Sequence, residues 1–392
     1  MSKEAVIVSR ARTPIGSFQG SLSSLSAPRL GAIAIKAAVE RAQIKPQDVD
    51  EVIMGEVLTA GVGQAPARQA ALYADLPTSI PCTTINKVCG SGLKAVMLAR
   101  QSVLLGEANI VVAGGMESMS CAPYLLPTAR LGMRMGNQLV VDSLVHDGLL
   151  DPYSALHMGN FGEKCASHYG FTREEQDAFA KLSYERALYA QQQGYFTEEI
   201  APVAVLLQKK NMIFDSDEEP KRYMPEKMAA LKAAFSAEGT VTAANSSKIN
   251  DGAAALVVME QEEAHRRQIL PLAKIISATT FAGDPAWFTT APVGAIKQAL
   301  AYAKLSISDI DLFEINEAFA VVAMVAMREL QIHQDQVNVW GGAVALGHPI
   351  GCSGARILTT LLSAMIQRNL KTGCAALCIG GGEAVAVIVQ RC

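Results

Sequence analysis

Gly31-Ala-Ile-Ala-Ile-Lys-Ala-Ala-Val-Glu-Arg-Ala-Gln-Ile-Lys-Pro-Gln-Asp-Val-Asp-Glu-Val-Ile-Met-Gly-Glu-Val57 aligns without a gap to the segment that begins at Pro292, 261 residues later. Ala34, Ile35, Lys36, Ala38, Ala42, Asp48, Asp50 and Glu56 recur as Ala295, Ile296, Lys297, Ala299, Ala303, Asp309, Asp311 and Glu317. The apolar spacing of each copy predicts an amphipathic helix, a polar turn and a short apolar strand, Val52-Ile-Met54 and Leu312-Phe-Glu-Ile315. A second pair follows at nearly the same offset. Ser91-Gly92 and Ser353-Gly354 each open a helical stretch. Each stretch leads to an apolar strand ending in glycines, Asn109-Ile-Val-Val-Ala-Gly-Gly115 and Ala375-Ala-Leu-Cys-Ile-Gly-Gly-Gly382. Two matched pairs in register predict a duplicated α/β unit.

Working outward, residues 1–120 form one half and 271–392 the other. The segment from Asn245 to Val258 returns to the turn-and-strand style, so 248–270 is read as completing the first half. Between them, 121–247 reads as an insertion with a charged helical run from Arg173 to Gln193 and a polar stretch from Asp215 to Lys221. Long chains between repeats often cover a functional site.

Composition agrees with a large packed core. Half of the 392 residues are apolar, 18% are charged and only 6% aromatic, with 31 glycines, which excludes a disordered chain. The length suggests two or three domain equivalents. Small apolar residues suit helices packed closely on buried sheets. Lys plus Arg is 34 against 37 Asp plus Glu, so no basic excess points to nucleic acid. The longest apolar stretch, Ala318 to Met327, falls well short of the roughly 20 residues a spanning helix needs. The run from Met1 to Val8 enters a strand-like segment with no signal-like apolar region or Arg-rich leader. The expectation is therefore a cytoplasmic protein that does not enter membranes.

Eight cysteines stand at 82, 89, 121, 165, 352, 374, 378 and 392, with no Cys-x-x-Cys pair, so no metal site is expected. Cys89 lies between a strand-like segment and Gly-Ser-Gly92. That places a thiol at a helix N-terminus, where free N–H groups and the helix dipole favour thiolate. His348, between Gly347 and Pro349, is fixed on a loop ahead of the second copy's helix. The duplication could bring it to Cys89. Cys378 ends the strand before Gly380-Gly-Gly382, whose N–H groups can approach an oxyanion. Asn316 ends the strand of the first match, where it could hold a water or carbonyl, or cap the next helix. Two thiols and a histidine suggest acyl transfer through a thioester. Spacing does not name the acyl group.

These residues resemble the thiolase family. The resemblance rests on Asn86-Lys-Val-Cys-Gly-Ser-Gly92, Ala113-Gly-Gly-Met-Glu-Ser-Met119, Asn316-Glu-Ala-Phe319, Gly341-Gly-Ala-Val-Ala-Leu-Gly-His-Pro-Ile-Gly351 and Cys378-Ile-Gly-Gly-Gly382, and it spans essentially the whole chain. It implies two pseudo-symmetric halves in a five-layer α-β-α-β-α arrangement, with the 121–247 insertion as a loop domain over the coenzyme A site. It also implies acetyl-CoA C-acetyltransferase activity, the reversible condensation of two acetyl-CoA to acetoacetyl-CoA and CoA by a ping-pong route. Cys89 would carry the acetyl group, and His348 would activate it, with a water on Asn316. Cys378 would move the α-proton. The N–H groups of Cys89 and Gly380 would form an oxyanion hole.

The resemblance further places Leu149, His157, Met158 and Phe235 along the CoA channel. Ala243, Ser247, Ala318 and Phe319 join them there. Lys221 or Arg222 would meet the CoA nucleotide. His157-Met158-Gly159 is similar to the short-chain members. CoA would be substrate and product with no tightly bound cofactor, and the assembly would be a homotetramer, a dimer of dimers. Two departures stand out. Glu383-Ala384 follow Gly382 where many members have Met-Gly. Tyr184 matches a position of potassium-activated members, but Phe288-Thr289 replaces their Phe-Pro, leaving potassium dependence open. Alternatives are a broader-chain 3-ketoacyl-CoA thiolase or a decarboxylating ketoacyl synthase. A second thiol at Cys378 rather than a histidine argues against the latter.

Overall fold

The computed structural model describes residues 3–207 and 210–392. Met1 and Ser2 of the expected N-terminal run lie outside them, and the first strand, β1, is Ala5–Arg12. The first half continues with helix α1 (Ala27–Arg41) and strands β2 (Glu51–Gly55) and β3 (Cys82–Ile85). Helix α2 (Ser91–Leu105) and strands β4 (Ile110–Ser118) and β5 (Asn250–Glu260) complete it. The second half has β6 (Ala273–Ala282), α3 (Ala291–Ala303), β7 (Leu312–Ile315), α4 (Ile350–Gln367), β8 (Thr372–Ile379) and β9 (Glu383–Arg391). Both copies of the opening repeat thus fold as helix, one 3-10 turn and strand, the turns being Pro46–Asp48 and Ile307–Asp309.

The strands share one sheet in the order β7-β8-β9-β6-β1-β5-β4-β2-β3. In the first half β2 runs parallel to β4, β4 antiparallel to β5, and β5 antiparallel to β1. The second half repeats the pattern: β7 parallel to β8, β8 antiparallel to β9, β9 antiparallel to β6. The halves meet where β1 pairs with β6, through the register Val6↔Lys274 and Ile7↔Ala273. Helix α1 packs on the outer face of the first half and α3 on the outer face of the second, while α2 and α4 pack on each other between them. This is the five-layer arrangement of two pseudo-symmetric halves.

The middle layer explains the small residues. Every residue of α4 from Ile350 to Met365 is buried, as expected of a helix covered on all sides. A Cβ on Gly92 would stand 2.8 Å from the Ala355 backbone nitrogen, and one on Gly354 would stand 2.3 Å from that of Leu93. Glycine at these two places lets the helices touch backbone to backbone.

Two boundaries differ from the expected ones. Helix α4 begins at Ile350, three residues before Ser353-Gly354, because Pro349 sets the extended residue ahead of the first turn. Strand β4 runs through Gly114-Gly115 to Ser118 instead of ending there. Those glycines let β5 and Gly351 approach, since a Cβ on either would lie 2.0 Å from a carbonyl oxygen.

The segment 121–247 contributes helices Met158–Tyr169 and Arg173–Gln192. The second opens with a capping box in which Thr172 accepts from Glu175 N and Glu175 accepts from Thr172 N. Arg12 of β1 anchors this segment from below. Fully buried, it pairs with Glu199 at 2.6 Å and Asp217 at 2.7 Å.

Candidate active site

A cavity of about 580 Å³ opens where the two halves and the 121–247 segment meet. Cys89 lines it, at the turn between β3 and α2. Val88, just before it, has φ +46°, the left-handed region that a β-branched residue rarely enters. The turn is held by its own side chains. Asn86 Oδ1 accepts from Val88 N at 2.8 Å. Ser91 Oγ accepts from Lys87 N at 2.8 Å and donates to Val88 O at 2.7 Å. Strain held this way at a single turn projects the thiol at a fixed angle. Burial pushes the Cys89 thiol up to about 11, against the pull of the Gly380 and Cys89 backbone N–H groups. Both N–H groups therefore lie near the sulfur, where they can reach the oxygen of a thioester joined to it.

His348 lines the same cavity from the loop before α4. Its backbone N–H donates to Asn250 Oδ1 at 3.0 Å. Ser353 donates its one hydroxyl proton to Pro349 O at 2.8 Å, so the 2.6 Å contact between Ser353 Oγ and His348 Nδ1 has Nδ1–H as donor. That tautomer leaves Nε2 as a bare acceptor, and Nε2 is buried with no protein partner. Burial, with Arg356 adding to it, lowers His348 to about 3, so the imidazole is neutral at rest. The arrangement suits a base that takes a proton only as a thiol attacks.

Asn316 follows β7 and caps no helix; the next helix, Ala320–Leu330, starts from Phe319. Its amide lies 3.4 Å from His348 Nδ1 through Nδ2, and its buried Oδ1 has no protein partner. Cys378, at the end of β8, is fully buried behind the cavity. Burial and the neighbouring Cys89 both push its thiol well above the ordinary range. The two sulfurs are thus close enough to sense each other's charge. Gly380 completes the wall.

All eight residues expected along the channel line the cavity: Leu149, His157, Met158 and Phe235, then Ala243, Ser247, Ala318 and Phe319. The Phe235 ring stacks on His157 at 4.8 Å and meets Phe319 edge-on at 6.0 Å, giving a flat apolar wall. His157 Nδ1 accepts from Gly159 N at 3.1 Å, and burial lowers its pKa, so it too is neutral. Of the two basic candidates, Arg222 lines the cavity, whereas exposed Lys221 turns away to donate to Ser216 Oγ at 2.7 Å. Glu383 forms an ion pair with Lys87. The pair links the loop after Cys378 to the turn before Cys89, so the departure after Gly382 comes with its own strap between the halves.

The sequence reading passed over four groups here. Lys248 and Met119 line the cavity. Glu117 accepts from Gly351 N at 2.9 Å, Val57 N at 3.1 Å and Leu58 N at 3.2 Å, tying the end of β4 to the start of α4. Glu56 lies fully buried with both oxygens unpartnered, while its repeat mate Glu317 accepts from Ser183, Asn338 and Val344. Burial, then Glu117, pushes Glu56 up to about 9. The folded protein therefore keeps this proton up to about pH 9, whereas the unfolded chain releases it near the ordinary glutamate value. The stabilisation is full at acid pH and is lost as pH rises toward 9. Glu56→Gln, neutral in both states, should unfold by calorimetry at a temperature that gains several degrees on the natural protein between pH 5 and pH 9. A gap that stays constant or narrows contradicts this.

Comparison with known proteins places this geometry in context. The thiolase N-terminal domain model matches residues 5–262 and the thiolase C-terminal domain model residues 269–391. An acetyl-CoA acetyltransferase of Schizosaccharomyces pombe is 50% identical, covering 100% of this chain and 100% of that protein. One from Cupriavidus necator is 52% identical, covering 99% of each. The crystal structure of Acat5 thiolase from Ascaris suum in complex with coenzyme A superposes with a TM-score of 0.95 at 44% identity, covering 100% of both chains.

Proposed function

Because this chain belongs to the thiolase family, we propose that it is an acetyl-CoA C-acetyltransferase, an acyltransferase that joins two acetyl-CoA into acetoacetyl-CoA and CoA and runs the reverse thiolysis. Coenzyme A is carried by the substrates and released as product. The observation that carries the reading is the meeting of Cys89, the N–H groups facing its sulfur, and His348 with a bare Nε2 in one cavity.

The scheme is a Claisen condensation in two halves. His348 Nε2 takes the Cys89 proton as the sulfur attacks the acetyl carbonyl. The Cys89 and Gly380 N–H groups hold the oxyanion. Collapse expels CoA thiolate, which leaves with the proton from His348, and acetyl-Cys89 remains. In the second half Cys378 gives its proton to the base, then takes one from the methyl group of a second acetyl-CoA. The resulting enolate attacks acetyl-Cys89, and the Cys89 thiolate leaves and recovers a proton from His348. Acetyl-Cys89 cannot ionise, so no Cys89 thiolate opposes the ionisation of Cys378 in the second half. Asn316 Oδ1, buried without a protein partner beside His348, is the acceptor that would hold a water there. The channel residues from Leu149 to Phe319 take the pantetheine arm, and Arg222 rather than Lys221 meets the nucleotide.

The domain reading stays 1–120 with 248–270, 121–247 and 271–392. It is supported by the channel residues that 121–247 supplies, His157, Met158, Phe235 and Ala243 among them. A homotetramer is supported by the arm between the short strands Tyr124–Leu125 and Val141–Asp142. That arm exposes Leu131, Met135 and Leu139, apolar surface suited to meeting another copy. A cytoplasmic location is supported by eight free thiols, two of them needed reduced. No helix of the described residues is long and apolar enough to cross a membrane.

The direct test is loss of the acetoacetyl-CoA chromophore on adding CoA, followed by a panel of longer ketoacyl-CoAs. Turnover should be fastest with the four-carbon substrate, as the likeness of His157-Met158-Gly159 to the short-chain members implies. Preference for long chains, or a requirement for malonyl thioester with release of carbon dioxide, contradicts the reading.

A further inference from the structure

Lys248 is a cavity-wall cation that the reaction scheme does not use. It sits half-buried in the turn that leads into β5. Its Nζ donates to Ala243 O at 2.6 Å and Ser246 O at 2.7 Å, with Val344 O at 3.4 Å. The ammonium also lies 5.7 Å from the centre of the Tyr184 ring. An ammonium has three N–H donors and no acceptor, and here three backbone carbonyls face all of them. Carbonyl oxygens replacing a hydration shell, beside an aromatic face, are the donor set of a desolvated monovalent cation. Burial lowers Lys248 to about 8 while Glu219 and Glu317 pull it up, which keeps it charged at neutral pH.

The three carbonyls come from two places. Ala243 and Ser246 belong to the wall next to Ser247. Val344 belongs to the short helix Ala343–Leu346, which ends two residues before His348. The Lys248 backbone joins the same contact, because its carbonyl accepts from His348 N at 3.3 Å. One ammonium thus ties the channel wall to the loop that carries His348.

We propose that Lys248 is a tethered monovalent cation: it fills a carbonyl cage that a free potassium or ammonium ion could occupy, and so positions the channel wall and His348 without any dissolved cation. Lys248 is a positioning residue, acting through Ser247 and His348. The inference rests on the acyl-transfer reading only for its kinetic readout.

The experiment compares the natural protein with Lys248→Ala and Lys248→Met in choline chloride, adding potassium, ammonium or lithium chloride. The natural protein should be indifferent to all three. Lys248→Ala should raise KM for acetoacetyl-CoA about tenfold in choline, with a smaller loss in kcat, as expected when a side chain shapes a binding wall. Potassium or ammonium should restore most of the loss, and lithium, too small for the cage, should not. Lys248→Met fills the cage without charge, so it should lose as much and regain nothing. An Ala variant that keeps the natural KM in choline overturns the proposal. So does a folded Lys248→Ala that neither potassium nor ammonium rescues, or a natural protein that needs potassium. Coenzyme A binding by calorimetry on the same set separates the two readings: absent turnover in the natural protein refutes acyl transfer, while cation-dependent binding to Lys248→Ala still supports the cage. Should Lys248→Ala fail to fold, potassium indifference of the natural protein together with weakened, unrescued binding by Lys248→Met supports the proposal. Natural affinity in Lys248→Met overturns it.

Discussion

Replacing Cys89 by alanine removes condensation and thiolysis together, by about 10⁴-fold or more, the scale of loss when a covalent nucleophile is deleted. The expectation follows from position. Among the described residues Cys89 is the one cysteine lining the cavity, and the residue before it is held in a strained left-handed turn that aims it there. The Gly380 N–H faces the same sulfur, and a bare imidazole nitrogen stands in the same wall. Alanine keeps the turn, because the bonds that hold it come from Asn86 and Ser91. Coenzyme A should therefore bind Cys89→Ala within about threefold of the natural affinity, since the truncation removes one sulfur and leaves the channel contacts in place. Steady-state assay and calorimetry check the two halves of this statement. Turnover above about a hundredth of the natural rate would remove the covalent route, given what such deletions cost.

Cys378→Ala separates the two halves of the reaction. Acetylation of Cys89 from acetyl-CoA needs His348 and the N–H groups, not Cys378, so the first half should proceed within about tenfold of the natural rate. Condensation should fall by about 10³-fold, within the range that a positioned acid–base group supplies. The fully buried thiol lies close enough to Cys89 to feel its charge, within reach of a substrate held there. Single-turnover acetylation and steady-state condensation, measured on one preparation, check the split. Equal loss in both would make Cys378 a packing residue that supports Cys89.

The duplication was legible because it is gap-free: a helix, turn and strand repeated at one offset leave the same apolar spacing twice. Cys89, His348 and Cys378 were legible because glycine and proline mark the turns that carry them. What stayed hidden depends on how the halves pack. Nothing local to Glu56 or Glu117 says that two carboxyls will be buried under α4. Lys221 and Arg222 are neighbours in one 3-10 turn, and only its orientation sends one side chain to the cavity and the other to Ser216. Lys248 reads as a solvated charge between Ser247 and Ile249. Its one sequence signal is a cation set immediately ahead of the apolar strand β5, and three distant carbonyls give it a task. The left-handed Val88 has no signature at all, since glycine would be expected at such a φ.

The most direct measurement is peptide mass mapping after acetyl-CoA is mixed with the protein and quenched in acid. The account predicts one acetyl group, on the peptide holding Cys89, present in Cys378→Ala and removed by added coenzyme A. Acetyl on another residue, or turnover with no acetylated peptide at any time, would contradict it.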